Sequence, residues 1–332
     1  MRRLIAAFAA VSLVAACSNE GGGGAEGDTA AAYPEENITF VVPFSAGGPT
    51  DTVTRMIADP MAKALGGKIV VQNVEGAGGT VAAGQVAQAE PDGYTVLMHH
   101  IGMSTAPALY KDLGYQPLED FATVGLVTEV PMTLVARNDF PPSTLADLTA
   151  YVKANSDKVS LANAGIGAAS HLCGLLFQST AGVKLQEVPY QGTGPALTDL
   201  VGGQVDFMCD QTTNTTGQIT AKKVKAYAVT TPERVKSLPD VPTTAEGGMP
   251  ELQVSVWHGL YVPAGTPPEI VTKLSEALKT ALADQAVIDQ MAKLGTAPVE
   301  AADATPDAHR AYLDEQIKTW AKVIADAGVK AS

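Results

Sequence analysis

The chain has 332 residues, a formal net charge of −13, 46% hydrophobic and only 5% aromatic residues. That acidity argues against nucleic acid as a partner and against electrostatic binding to anionic lipid. Beyond the N-terminus no stretch approaches the roughly 20 apolar residues of a membrane span, so the body is expected to be soluble and is long enough for two α/β domains.

The first sixteen residues read as a leader rather than as part of the fold. Arg2 and Arg3 form a charged start, Leu4 to Val14 is an apolar core too short to span as a mature helix, and the run LVAAC ends at Cys17. This run resembles the lipobox of bacterial lipoproteins, which implies that the Cys17 sulfur receives a diacylglycerol; a plain secretory signal is the alternative, and both export the protein. Processing would remove two arginines and deepen the acidity. Residues 17–32 are a polar, glycine-rich tether with a reach on the order of 20 Å, enough to hold a domain off a membrane without docking it.

The stretch Ile38 to Asp51, ITFVVPFSAGGPTD, couples a strand to a helix through a loop with few side chains. Five β-branched or aromatic residues suit a buried strand, and Pro43 stops it by removing a ladder donor. Gly47 and Gly48 let backbone approach whatever lies above the strand end, and Pro49 suits the first helical position. With Gly48 as cap, Asp51 falls at the third position, where its carboxylate reaches back to the cap N–H; if it pointed at a ligand instead, it would select one carrying a donor. Together with the hydroxyls of Ser45 and Thr50, the loop reads as an anion cradle.

A second copy follows: the strand Lys68 to Asn73, then EGAGGTVAAG leading into a helix from Thr80 to Gln88. Two such loops on neighbouring parallel strands face one crevice, where open α/β sheets bind ligands. They hold no Lys or Arg, so an acid would be held by the backbone N–H groups of Gly47, Gly48, Gly78 and Gly79, the hydroxyls of Ser45, Thr50 and Thr80, and two helix N-termini.

Further strands are expected at Tyr94 to Met98, Val159 to Asn163, Gln186 to Pro189, Val205 to Cys209 and Val224 to Val229. Helices fall between them at Leu145 to Asn155, Ser170 to Thr180, Pro195 to Val201 and Thr213 to Ala221. This βα repeat predicts largely parallel sheets. Ala122 to Arg137 and Leu252 to Val262 are too long for ordinary strands and read as paired crossings between domains. The C-terminal helices, Pro267 to Ala283, Gln285 to Leu294 and Thr305 to Ala327, lack a sheet of their own and are expected to cover the first one. Domain 1 is therefore 33–135 with 255–332, and domain 2 is 136–254. Cys173 and Cys209 lie in one βα unit, either paired as a disulfide or buried as apolar thiols.

With these segments placed, the chain resembles the periplasmic solute receptors of tripartite tricarboxylate transporters, the Bug or TctC family. The resemblance rests on PFSAGGPTD at Pro43, GAGGTVAAG at Gly76, PDGYTVL at Pro91, PALYK at Pro107, GIGAASHL at Gly165, VPYQGTGPALTDLVGGQVD at Val188, LPDVPTTAEGG at Leu238 and GLYVPAGTP at Gly259. It implies a two-domain Venus-flytrap α/β fold and a receptor that passes a small organic acid to membrane permease subunits. It further implies a monomer in the cell envelope, anchored by lipid, with no cofactor and no enzymatic activity. Matched position by position, Gly47, Gly48, Thr50 and Asp51 belong to the first loop, Gly78, Gly79 and Thr80 to the second, and Gly165 and Ser170 to the other domain, with Asp210 facing the cleft. Many relatives carry an Arg where this chain has Val74.

GIGAASHL also looks like a dinucleotide fingerprint, but its third glycine is absent, and a helix N-terminus donating to a carboxylate is the simpler reading. His99, His100, Met103 and Ser104 after one strand, and Gln211, Thr212, Thr213 and Asn214 after another, are candidates for reading the ligand's far end; of these His100, Ser104 and Thr213 complete the expected site. The five histidines have no metal-ligand spacing, and no GxSxG, CxxC or HExxH occurs. Sequence leaves open which acid is bound, and whether the receptor serves a permease or a sensor kinase; a secreted α/β enzyme is the further alternative.

Overall fold

The computed structural model describes residues 32–326. The expected leader, Cys17, the tether up to residue 31 and the last six residues lie outside this range. Ten strands form one mixed sheet of order β2-β1-β3-β9-β4-β7-β5-β6, with β8 and β10 both paired to β4.

The first half begins with β1 (Ile38–Val42), parallel to β2 (Ile69–Asn73) and β3 (Thr95–His100). Helix α1 (Pro49–Leu65) follows β1, and α2 (Thr80–Ala87) follows β2 after a single 3-10 turn at Ala77–Gly79. Helix α3 (Gly102–Leu109) follows β3; it begins on a glycine and contains Pro107, so propensity gives no sign of it.

A single strand of 17 residues, β4 (Phe121–Arg137), serves both halves of the sheet. Phe121 to Pro131 pair with β9 (Ser255–Pro263), and Met132 to Arg137 pair with β7 (Phe207–Gln211) and β8 (Val224–Val229), all antiparallel. The expected crossing over Ala122 to Arg137 is thus one strand. The return crossing is strand only from Ser255; before it, the Thr230 hydroxyl donates to Val254 O at 2.6 Å and accepts from Met132 N at 3.1 Å, tying the two crossings together.

Beyond β4, helix α4 (Leu145–Ala154) opens on a capping box between Thr144 and Asp147. It leads to β5 (Ser160–Asn163), which is parallel to both β6 (Gln186–Pro189) and β7. Helices α5 (Ala169–Ala181), α6 (Thr193–Val201) and α7 (Thr212–Thr220) follow β5, β6 and β7. Parallel pairing therefore holds within the βα repeats, and β4 with its partners makes the sheet mixed. Cys173 on α5 and Cys209 on β7 form a disulfide with Cα atoms 6.0 Å apart. Closing that loop contributes about 4 kcal/mol on chain-entropy grounds.

As expected, the C-terminal helices cover the first half. Helix α8 (Pro268–Leu282) packs on α1 and β4; α9 (Gln285–Lys293) leads to the short β10 (Ala297–Pro298); and α10 (Pro306–Asp326) packs on α3 and β4. Among the described residues no helix is long and apolar enough to cross a membrane.

Candidate functional site

The loops after β1, β2 and β3 in the first half meet those after β5, β6 and β7 in the second, all at the carboxyl ends of their strands. In the first loop Gly47 has φ +77°, and Gly48 caps α1 in extended geometry with Pro49 at N1, which puts Asp51 at the third position. Asp51 Oδ2 accepts from Gly47 N and Arg55 Nε, each at 2.8 Å, and Oδ1 accepts from Asn73 Nδ2 at 3.0 Å. Burial pushes this carboxyl up, but the bonds from Arg55, Gly47 and Asn73 outweigh it and hold Asp51 below its ordinary value. The carboxylate orders its own loop, reaching one residue past the cap.

That arrangement corrects the expected donor set. Gly47 N–H is used by Asp51, Gly48 N–H donates to Ser45 O at 3.3 Å, and Gly79 N–H donates to Gly76 O at 2.9 Å. The Thr80 hydroxyl donates to Ala77 O and that of Ser104 to Ile101 O, so both serve local turns. Short glycine loops satisfy their own N–H groups by tight turns before offering them elsewhere.

The loops touch across the interface. Ser45 N donates to Gln191 O at 3.2 Å, while its buried hydroxyl has no partner among the described residues. A Cβ on Gly78 would lie 1.9 Å from Ile166 O, so that glycine is abutted by the opposite loop rather than by open space. Gly165, with φ +94°, lies against Gly78 in turn. The Tyr110 hydroxyl bridges the same junction, 2.8 Å from Ala77 O and 2.7 Å from Ile166 O.

Behind this contact the halves line a small cavity of about 20 Å³, the room of roughly one water. Thr50, His100, Ser170 and Asp210 of the expected set line it, together with Phe44, Thr193 and Gln211. Gly47 lines an adjoining open groove of about 480 Å³, with Gly194, Asn214 and Lys223. Thr213 is buried on α7, its hydroxyl without a partner among the described residues.

The strand ends differ from expectation. His99 and His100 belong to β3, and Asp210 and Gln211 to β7, because each strand runs two residues further while its ladder partner continues. His100 sits directly opposite His258 of β9, and His258 Nε2 is 3.4 Å from the Thr50 hydroxyl. His100 Nδ1 accepts from Gly102 N–H at 2.9 Å, which leaves its proton on Nε2. Burial, then the neighbouring His99 and His258, push the His100 pKa well below its ordinary value. Burial likewise pushes His99 down to about 4 and His258 down to about 3. His258, Tyr110 and Thr193 escaped the sequence reading, since only the cross-strand register and the meeting of the loops bring them here. Among the described residues no group of three or more His, Cys, Asp or Glu could hold a metal ion.

In the second half Ser170 Oγ accepts from Ala164 N–H at 2.9 Å, and Gly167 N–H donates to His171 Nδ1 at 3.2 Å, which fixes the loop opening α5. Asp210 is 1% exposed and accepts from Asn214 Nδ2 at 2.5 Å. Burial pushes its pKa up to about 6 against the pull of Asn214, Thr193 and the Gln211 backbone. The site is thus a small cavity with neutral donors and one costly buried carboxyl.

The sequence model of the family described as "Tripartite tricarboxylate transporter family receptor" matches residues 53–329. The chain belongs to this family. Among solved structures it is similar to the periplasmic binding protein BugD at 52% identity and a TM-score of 0.89, covering 90% of this chain and all of that one. MatC from Rhodopseudomonas palustris, solved with bound malate, is 43% identical with a TM-score of 0.86, covering 88% of this chain and all of MatC. A further R. palustris protein, solved with adipate, is 31% identical with a TM-score of 0.86, covering 90% of this chain and all of that protein. The fold is therefore the two-domain one of periplasmic binding proteins, and the family is one of receptors.

Proposed function

We propose that this receptor captures a small organic acid between its two halves and delivers it to the permease of a tripartite tricarboxylate transporter. The reading is carried by the neutral donors of Thr50, His100 and Ser170, which converge from both halves on one small cavity beside the N-termini of α1 and α5. Hydroxyl and imidazole N–H groups in a low-dielectric cleft suit a carboxylate, and a helix N-terminus adds about 0.3 to 2 kcal/mol to its binding. The dicarboxylates held by two relatives support the same class.

A cavity of about 20 Å³ does not accommodate a dicarboxylate, so capture takes place with the halves parted. The lobes are residues 33–135 with 255–332, and residues 136–254. Closure turns about the crossings near Met132 and Val254, and a ligand touching both lobes stabilises the closed form by its differential affinity. The glycine loops, with Ser45, Gly47, Gly48, Gly78, Gly79 and Gly165, let the lobes approach, while Ser104 and Thr80 shape the strand ends. A lipid on Cys17 and the glycine-rich tether hold this receptor in the periplasm near the permease, as a monomer and without enzymatic turnover.

A thermal-shift screen with mono-, di- and tricarboxylates tests the reading. Stabilisation by a dicarboxylate is expected. A protein stabilised by a sugar or a metal ion, and by no acid, would sink it.

A further inference from the structure

Asp210 lines the small cavity from the second half and His100 from the first, and the lining contains no lysine or arginine. The partners of the Asp210 carboxyl are the Asn214 amide, the Thr193 hydroxyl and the Gln211 backbone N–H, none of which carries charge. The elements packed on it bring little more. Strand β4 places Thr133 beside it, and α1 places Thr50 at the cavity. His100, backed by His99 and His258, is held neutral by burial. Lys223 lines the adjoining groove and not this cavity, and Arg55 is bound to Asp51.

An acid entering here places a carboxylate against a buried carboxylate with no cation between them. Two such groups in a low-dielectric site cannot both stay ionised. Resting on the acid-binding reading above, we infer that Asp210 makes capture proton-linked: a dicarboxylate dianion binds together with one proton taken from solvent, and Asp210 then donates an O–H···O bond to the ligand's distal carboxylate. No covalent bond forms or breaks; one solvent proton ends on the Asp210 carboxyl.

In the free protein burial already pushes Asp210 up to about 6. Above that pH the proton must be taken up on binding, and below it the proton is already in place. Affinity for a dianion should therefore rise about tenfold for each unit that pH falls from 8 toward 6, then level off. Asp210→Asn supplies an amide donor in the same shape without a proton. It should bind with a pH-independent affinity that exceeds the wild type at pH 8 by up to about a hundredfold.

The test is calorimetric titration of the mature protein with malate and with succinate from pH 6 to 8.5, in paired buffers of different ionisation enthalpy. Both acids are expected to bind with uptake of about one proton at pH 8, falling to about half a proton near pH 6, and with none in Asp210→Asn. Binding without proton uptake, uptake that persists in Asp210→Asn, or Asp210→Asn binding more weakly at pH 8 would overturn the inference. The first and last of these together, with malate bound and succinate rejected, would instead mark Asp210 as an ionised acceptor for a ligand hydroxyl, and persisting uptake would assign the proton to another group. The wild-type heats decide the question even if the variant folds poorly. Failure of every acid to bind either protein at any pH overturns the acid-binding reading itself, and this inference with it.

Discussion

Asp51 is 3% exposed, and its two oxygens are matched by Gly47 N–H, Arg55 and Asn73. Arg55 is 51% exposed, so the ion pair itself counts for little; the two bonds to the loop and to the β2 end matter more. Asp51→Ala should lower stability by about 1 to 3 kcal/mol at pH 7, because the donors on Gly47 and Asn73 lose their acceptor. The folded carboxyl lies below its ordinary value of 3.8. Its contribution is therefore complete above pH 3.8 and is lost as pH falls through the lower, folded value. Urea unfolding of both proteins at pH 7 and near pH 3 should give a difference that shrinks in acid; a difference independent of pH would mean that only packing had been lost.

At the scale of elements, α10 is fastened to β9 by an apolar contact around an imidazole. The His309 ring stacks edge-on to Tyr261 at 4.5 Å and lies 5.9 Å from Trp257, and Gly259 leaves it room, since a Cβ there would come within 2.3 Å of the ring. Neither His309 nitrogen has a hydrogen-bond partner among the described residues, and burial pushes its pKa down to about 3. The unfolded chain takes up a proton below about 6.5 that the folded one refuses until about 3, so stability falls with pH across that window by about 1.4 kcal/mol per unit. His309→Leu should keep the fold and remove that increment from the slope of unfolding free energy against pH between 6 and 4. An unchanged slope would mean that His309 is charged or solvated in the folded state. The locally encoded parts of this architecture were legible: the β-branched run of β1, the glycine loops, Pro49 and Pro268 at helix starts, and the βα rhythm. The rest depends on pairing at a distance. His100 meets His258 only through the β3–β9 register, β4 remains one strand because it finds partners along its whole length, and α3 contradicts its own Gly and Pro content. In the candidate site the residue types were readable but not their hydrogen-bond use, because a loop N–H bonded within its own turn looks the same in sequence as one left free.

For the whole molecule, the proposed closure of the halves would rest on the contact between the Gly78 and Ile166 loops. A side chain at Gly78 would strike Ile166 O at 1.9 Å, a backbone atom that cannot swing aside, and would crowd the Tyr110 hydroxyl at 3.1 Å. On the proposed closure, Gly78→Val should fold with the halves parted, where the contact with Ile166 is not made, yet be unable to close. The φ of +62° adds a backbone cost of about 1 to 2 kcal/mol for any L-residue, so a loss of binding alone could be blamed on strain. Gly47 supplies the control: its φ of +77° imposes a similar cost, but a Cβ there meets nothing within 4 Å. Strain predicts that Gly47→Ala and Gly78→Val weaken acid binding alike. Blocked closure predicts that Gly78→Val alone abolishes it, and that its small-angle scattering profile with acid present keeps the larger radius of gyration of the free protein. Gly78→Val contracting on addition of malate as the wild type does would show that the two loops part without consequence for closure.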